Sequence, residues 1–104
     1  MKLKQVSKKQ AKRNRILSDI KKLLPKQCYF CGMHGNDLMH LLPKSIFPEY
    51  YCEEWNLIIG CREHHDIYDG DRDYRSKKNE LFLIALNNVK ECDRGRVLKY
   101  FGKL

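Results

Sequence analysis

The sequence predicts an α+β fold in which a small two-stranded sheet is flanked by helices. The first observation is a pair of short apolar segments, DLMHLL at 37–42 and NLIIG at 56–60, which have the composition of strands. The second is a set of segments on both sides of this pair with apolar residues at helical spacing. The third is a group of cysteines and histidines spaced as metal ligands, which small domains use to stabilise a thin core.

A basic helix is predicted over residues 7–24, with Ser7 as its N-cap and Pro25 as its stop signal. Its short apolar stripe consists of Ile16, Ile20, Leu23 and Leu24. Residues 1–26 contain ten Lys or Arg and one Asp, a balance of +9. We therefore expect residues 1–26 to form a basic helical arm that contacts the backbone of a nucleic acid. The candidate contacts in this arm are Lys8, Lys9, Lys12, Arg13 and Arg15.

Residues 27–104 are expected to form a single zinc-stabilised domain. A tight loop at 28–36 precedes the first strand, and a long connection at 42–56, which contains two prolines, joins the two strands. Connections of this length without regular structure are usually functional. A short helix is predicted over residues 61–70, because its periodic pattern ends at a glycine.

Two further helices are predicted at the C-terminal end of the domain. The first covers residues 76–91 and is capped by Ser76, and the second covers residues 93–101. Their inward-facing apolar residues are expected to be Leu81, Phe82, Ala85, Val89, Val97, Leu98 and Phe101.

The net charge of +8 is distributed unevenly along the chain. Residues 27–70 carry two basic and seven acidic side chains (−5), and residues 71–104 carry nine basic and five acidic ones (+4). Basic ends suit a polyanion such as nucleic acid. No apolar run approaches the ~18 residues of a membrane span, and no apolar segment follows the basic N-terminus as in a signal peptide. We expect a cytoplasmic protein with no membrane partner.

Four residues form a predicted zinc site. Cys28 and Cys31 make a CxxC pair, and Cys61 and His64 make a CxxH pair on one face of a helix. Close cysteines in the reducing cytoplasm are better interpreted as metal ligands than as disulfides, and five cysteines fit a disulfide framework poorly. Three cysteines and one histidine are a standard tetrahedral set for zinc. His34 is an alternative ligand, and two unrelated pairs of small buried residues are the alternative to a metal site.

His65 directly follows His64 and needs a separate explanation. Adjacent helical side chains point about 100° apart, so His65 cannot easily bind the same ion. It shares a different helix face with Asp69, four residues later. An imidazole and a carboxylate on one face can hold a second, catalytic metal ion. The alternative is that both are ordinary surface residues.

Taken together, these residues resemble the HNH endonuclease family, whose ββα-metal core is also called the His-Me finger. The resemblance is carried by CYFC at 28–31, DLMHLLPKS at 37–45 and WNLIIGCREHH at 55–65. The family pattern is a CxxC, a strand that ends in histidine before a proline turn, and Asn-Leu before a second metal-binding pair. The three letters of the family name correspond to His40, Asn56 and His65. Small stand-alone members are frequent in phages, which implies a bacterial or phage-infected cell.

The resemblance implies metal-dependent hydrolysis of phosphodiester bonds in DNA. His40 would be the general base that takes a proton from the attacking water. A divalent cation on His65 (Mg²⁺, Mn²⁺ or Ni²⁺) would stabilise charge on the phosphate and the leaving oxygen. The Asn56 amide would bond backbone groups and hold the loop so that His40 is aimed correctly. Lys44 and Arg62 are further candidate phosphate contacts.

The chain departs from the family pattern at three positions. His64 replaces the fourth cysteine, which zinc accepts. Asp69 stands where many members have a second metal-binding histidine. Met39 stands where the family usually has an acidic or histidine ligand, and a thioether is a poor ligand for hard cations. Asp37, which is two residues earlier on the same strand face, is expected to complete the catalytic ligand set with His65 and Asp69.

The expected function is therefore that of a DNA endonuclease. Duplex, nicked and branched DNA stay open as substrates, RNA is less favoured, and cutting both strands with one site per chain would favour a homodimer. One alternative is a zinc module of the same fold that binds nucleic acid without cutting it. Another is a small zinc protein that binds a protein partner through the aromatic residues of its long connection, which are Phe47, Tyr50, Tyr51 and Trp55.

Overall fold

A computed structural model describes residues 8–104, which form an α+β fold as predicted. The two strands are β1 (Asp37–His40) and β2 (Leu57–Gly60). The α-helices are α1 (Lys8–Leu23), α2 (Arg62–Gly70), α3 (Arg72–Ser76), α4 (Asn79–Asn88) and α5 (Arg94–Tyr100). Short 3-10 helices cover Pro48–Tyr50, Glu54–Asn56 and Glu91–Asp93.

The two strands pair in antiparallel register, with Asp37 opposite Gly60. β2 starts at Leu57, one residue later than predicted, and β1 ends at His40, two residues earlier than expected. The reason is that Leu41 and Leu42 leave the strand and turn into the core, where both are fully buried. The sheet is therefore only four residues long, and His40 lies at its very end.

α2 forms where the short helix was predicted, starting one residue later, and it follows β2 almost directly and packs against both strands. The Cys61 sulfur caps its N-terminus by accepting a hydrogen bond from the His64 N–H at 3.4 Å. Tyr68, which is fully buried, donates its hydroxyl to the Leu41 carbonyl at 2.8 Å. This bond fixes α2 to the end of β1.

The predicted helix over residues 76–91 is wrong in its boundaries. Ser76, which was expected to cap this helix at its start, is instead the last residue of α3, and α4 starts only at Asn79. Asp71 is the cap of α3, because its side chain accepts the Tyr74 N–H at 3.1 Å. The helical turn forms earlier than predicted because Arg75, which is only 6% exposed, bonds carbonyl groups at the end of α2.

The last helix starts at Arg94 after a 3-10 turn, one residue later than predicted. The inward-facing residues of the two C-terminal helices were otherwise predicted correctly. Leu81, Ala85, Val97 and Phe101 are fully buried, and Phe82, Val89 and Leu98 are partly buried.

The hydrophobic core lies between the sheet, α2 and the C-terminal helices. The long connection contributes Phe47 and Tyr50, which are 0% and 6% exposed. These two rings are therefore not available to a protein partner, whereas Tyr51 and Trp55, the other two aromatic residues of the second alternative function, are half-buried. The core consists of Met39, Leu41, Leu42, Phe47, Tyr50, Tyr68, Leu81, Ala85, Val97 and Phe101.

α1 lies on the outside of the protein and has no fully buried residue. The predicted apolar stripe is wrong at Leu23, which is 83% exposed. The half-buried face is rotated away from Leu23 and includes Gln10, Arg13, Leu17, Ile20 and Leu24. The predicted cap, Ser7, lies outside the described residues. Within residues 8–104, no helix is both long enough and apolar enough to cross a membrane.

Candidate active site

The four residues predicted to bind zinc converge on one point. Their ligand atoms, from Cys28, Cys31, Cys61 and His64, all lie within 4.8 Å of one another. His64 Nδ1 is 3.1 Å from the Cys61 sulfur and 3.9 Å from the Cys28 sulfur. Tetrahedral zinc with Zn–S bonds of about 2.3 Å separates its sulfurs by about 3.8 Å, so this group can hold a metal ion such as zinc. His34 is exposed and lies outside the group.

The loop that carries the CxxC pair prepares the first sulfur for a metal ion. Gly32 takes a positive φ of 73°, which lets the chain turn back on itself after Cys31. Burial opposes ionisation of Cys28, but the backbone N–H groups of Cys61, Cys31 and Phe30 bond its sulfur and lower the pKa of the thiol to about 6. The thiolate is the form that binds metal ions.

The long connection is closed by the side chain of Asn56, which is fully buried. Its Oδ1 accepts the Leu42 N–H at 2.8 Å, and its Nδ2 donates to the Leu42 carbonyl at 3.1 Å and to the Tyr50 carbonyl at 2.9 Å. The Asn56 backbone carbonyl also accepts the Leu41 N–H at 2.9 Å. One residue therefore joins the start of the connection, its middle and the start of β2, and does so through backbone groups.

His40 lies against this closed connection. Its Nε2 is 2.9 Å from the Tyr51 carbonyl oxygen, and a carbonyl can only accept, so Nε2 carries the proton. His40 Nδ1 has no bonding partner among residues 8–104. Every buried side-chain nitrogen and oxygen in this range does have a partner. The unpartnered Nδ1 is therefore not buried and faces solvent. Partial burial lowers the pKa of His40 below its ordinary value of 6.5, although the bond to Tyr51 opposes this effect. The imidazole is therefore neutral at pH 7.

Tyr51 lies beside His40, although the sequence pattern suggested it only as part of an aromatic surface for a protein partner. Its ring stacks on the His40 ring with centroids 4.8 Å apart and planes 5° apart. The Lys44 ammonium lies 4.7 Å from the Tyr51 ring centroid. The bond to His40 comes from a backbone carbonyl, which any residue could supply, so no sequence signal marks the position.

His65 lies between two carboxylates. Its Nδ1 is 3.0 Å from Asp37 Oδ2, and its Nε2 is 3.1 Å from Asp69 Oδ2. The hydrogen bond with His65 lowers the pKa of the Asp37 carboxyl, and the Arg62 guanidinium, 3.1 Å away, contributes in the same direction. Asp37 and Asp69 thus contact opposite ring nitrogens. Within residues 8–104 the Cys28 group is the one metal-ligand cluster whose atoms all converge.

Met39, at the usual ligand position of the family, is fully buried in the hydrophobic core. A Cβ on Gly60, in the paired strand, would overlap the Met39 sulfur, so the glycine makes room for it. Met39 therefore contributes to the stability of the core rather than to the polar site. A carboxylate at this position would have to be buried among apolar side chains.

The predicted nucleic-acid contacts lie in two places. Lys8, Lys9, Lys12 and Arg15 are exposed on α1, and Arg13 is half-buried there. Lys44 connects α1 to the His40 site, because its ammonium also bonds Gln10 Oε1 at 3.3 Å. Arg62 is 74% exposed and bonds Asp37 and Asp66, so it lies beside His65.

His40 and Asn56 thus lie at the end of the short sheet where His40 pairs with Leu57, whereas His65 on α2 contacts Asp37 at the opposite end of β1. The Cys28 group lies at the start of α2. No protein-family model, curated protein or solved structure matches this chain. The function is therefore inferred from the geometry of the site.

Proposed function

We propose that this chain is a metal-dependent DNA endonuclease of the HNH type, in which β1, β2 and α2 form the catalytic ββα unit. The observation that carries the proposal is the state of His40. Its Nε2–H is fixed on the Tyr51 carbonyl, its Nδ1 faces solvent, and its lowered pKa keeps it neutral at pH 7. This is the state that a general base requires.

In the proposed reaction, His40 Nδ1 accepts a proton from the water molecule that attacks the phosphorus. The Tyr51 carbonyl and ring hold the imidazole in place while the proton moves. Asn56 acts on the same chain segment, because its Nδ2 holds the Tyr50 carbonyl, one residue before Tyr51. Asn56 is thus a positioning residue rather than one that touches the substrate.

The donors beside His40 are suited to a divalent cation. Carboxylate oxygens and an imidazole nitrogen are ligands that Mg²⁺, Mn²⁺ and Ni²⁺ accept. The Asp69 charge is close enough to His40 to oppose the lowering of its pKa. Asp37, in contrast, already forms an ion pair with Arg62. We therefore assign the ion to His65 Nε2 and Asp69, and assign Asp37 to orienting the ring through Nδ1. When bound, the ion supplies charge stabilisation to the phosphate and the leaving oxygen.

The Cys28 group is proposed as a structural zinc site. It joins the loop before β1 to the start of α2, at the N-terminal end of the helix that carries His65. All four of its ligands come from the protein, as in closed structural sites, with no open position for a substrate.

A second candidate function is a module of the same fold that binds DNA without cutting it. The observation that favours it is the failure of Asp37, His65 and Asp69 to converge on one point within the described residues. The two functions differ in a single measurable property, which is cleavage in the presence of a divalent cation.

The deciding experiment is nicking of a supercoiled plasmid with Mg²⁺, Mn²⁺ or Ni²⁺. His40→Ala should lower the rate by about 100-fold or more, because a general base typically contributes 10²–10⁴-fold. His34→Ala is the matched control, since His34 is an exposed loop histidine, and it should cut like the wild type. Zinc content and DNA affinity should be the same in all three proteins.

The pH dependence provides a second readout. The rate should rise with pH as His40 loses its proton, with a midpoint below 6.5, because the folded protein lowers the pKa of this group. Cleavage by His40→Ala at the wild-type rate would contradict the proposed base. DNA binding without cleavage by the wild type, with every ion tested, would establish the second candidate function.

A further inference from the structure

A second basic surface, which we call the α3–α5 groove, lies between α3, α5 and the long connection. Two adjoining cavities of about 690 and about 390 Å³ form this groove, and Arg72 and Lys99 line both. The smaller cavity has no acidic residue in its lining, which consists of Ile46, Arg72, Arg75, Arg96, Lys99 and Tyr100.

Two of these cations have no partner. The side chains of Arg72 and Lys99 make no ion pair or hydrogen bond within residues 8–104. The stem of Arg72 passes close to Gly102, where an added Cβ would be 3.4 Å from Arg72 Cγ. Gly102 has a positive φ of 68° and follows the end of α5. The groove thus presents a guanidinium whose donors are unused within residues 8–104.

A third cation, Arg75, adds charge from the base of the groove. Its guanidinium donates to the carbonyls of Tyr68, Asp69 and Tyr100 at 2.6, 3.1 and 3.1 Å, and lies 3.9 Å from the Tyr100 ring centroid. These oxygens accept from Nε and Nη1 but carry no formal charge, and no carboxylate within residues 8–104 pairs with Arg75. Its positive charge therefore remains uncompensated.

The remaining charged residues of the groove are paired. Arg96 bonds Glu49 and Asp93, and Asp73, the one acid in the larger cavity, pairs with Lys77 at 3.6 Å. Because Arg96 is shared by two carboxylates, the Arg96–Glu49–Asp93 trio has a net charge of −1, which the +3 of Arg72, Arg75 and Lys99 outweighs, so the groove is net positive.

We propose that the α3–α5 groove binds the phosphodiester backbone of DNA, as a second contact in addition to α1. The groove shares the long connection with the catalytic site. Ile46 lines it and is fixed there by Arg96, which donates to the Ile46 carbonyl at 2.9 Å, while Lys44 and Tyr51 of the same connection lie beside His40. This inference rests on the proposed function, because it takes DNA as the ligand.

The test measures the salt dependence of binding to a fluorescently labelled DNA duplex by anisotropy. Arg72→Gln combined with Lys99→Gln should flatten the slope of log K against log salt by about 1.8, at about 0.9 for each lost phosphate contact. The matched control is Lys90→Gln combined with Arg94→Gln, which removes the same two residue types outside the groove. The control should leave the slope unchanged. If the double variant folds poorly, Lys99→Gln alone should flatten the slope of log K against log salt by about 0.9.

The proposal would be overturned by an unchanged slope in the groove variants, or by a slope that flattens equally in the control variant. Plasmid cleavage by the wild type is measured in parallel, which separates the two proposals. If the wild type cuts DNA but the slope is unchanged in the groove variants, the nuclease proposal stands and the groove proposal is wrong. If the slope flattens in the groove variants but the wild type never cuts, the groove proposal stands and the nuclease proposal is wrong.

Discussion

At the scale of single residues, Asn56 determines the shape of the long connection that holds His40, the proposed general base. Its amide uses both Nδ2 hydrogens and its oxygen on backbone groups of Leu42 and Tyr50, all in the buried interior. No other side-chain type of similar size offers two donors and an acceptor at one end. The residue is therefore determined by hydrogen-bonding capacity, although it does not reach the substrate.

Asn56→Ala should destabilise the protein and slow cleavage together. Three buried backbone groups would lose their partners, at about 1–3 kcal/mol for each unsatisfied group, so we expect a loss of roughly 3–5 kcal/mol in the free energy of unfolding. The Tyr50–Tyr51 segment would also be released, and with it the carbonyl that orients His40. Urea unfolding in the presence of zinc measures the first effect, and plasmid nicking measures the second.

Asn88→Ala is the matched control for this prediction. The Asn88 amide also bonds a backbone carbonyl, that of Ile84 at 2.7 Å, but on an exposed helix end. Its loss should change the free energy of unfolding by no more than about 0.5 kcal/mol. Equal effects of the two substitutions would show that the buried bonds of Asn56 do not stabilise the loop.

A site residue could be predicted from the sequence only where its side chain, and not its backbone, makes the contact. His40, Asn56 and His65 stood out because their side chains have distinctive chemistry and spacing. Tyr51 could not be identified, because its bond to His40 uses a backbone carbonyl. Met39 could be named but not placed, because its burial depends on Gly60 in the other strand, and single-sequence patterns do not show packing across strands.

At the scale of elements, α2 explains why two histidines are adjacent in the sequence. His64 faces the Cys28 group, and its Nδ1 lies 3.1 Å from the Cys61 sulfur. His65 faces Asp37 and Asp69. One helix thus joins the proposed zinc site to the proposed catalytic site, and the 100° step between neighbouring side chains separates them.

Helix boundaries were harder to predict than helix existence. The predicted cap was Ser76, but the structure uses Asp71, five residues earlier, and both residue types are suitable caps. The choice of Asp71 depends on Arg75, which bonds carbonyls of α2 and the Tyr100 carbonyl of α5. Such long-range bonds override local signals, which is why α3 was missed.

α1 should contribute a large part of the electrostatic affinity for DNA. Substituting Lys8, Lys9, Lys12 and Arg15 with Gln removes four exposed charges. If each contacts a phosphate, the slope of log K against log salt should flatten by about 3.6. Because α1 has no fully buried residue, circular dichroism and zinc content should stay unchanged. An unaltered slope would mean that α1 does not contact the DNA backbone.

At the scale of the whole molecule, the two proposed metal sites differ in how well the sequence predicts them. All four residues of the Cys28 group were predicted to converge, because cysteine and histidine pairs at short spacing are typical metal ligands. Asp37 and Asp69 are common residue types with many structural uses, and the sequence could not show that they would contact opposite nitrogens of His65. That detail depends on the exact placement of α2 on β1.

The whole fold should depend on zinc. The sheet has only two strands of four residues, and the CxxC loop is joined to α2 mainly through Cys28, Cys31, Cys61 and His64. Binding at a structural zinc site is worth on the order of 10 kcal/mol, which is comparable to the entire stability of a typical domain, ~5–15 kcal/mol.

Purified protein should therefore hold about one tightly bound zinc ion, and a strong chelator should abolish its cooperative thermal unfolding. Cys61→Ser should have the same effect as the chelator, while Cys92→Ser, at an exposed cysteine outside the group, should unfold like the wild type. A chelated protein that kept a sharp unfolding transition would show that the core is stable without the metal.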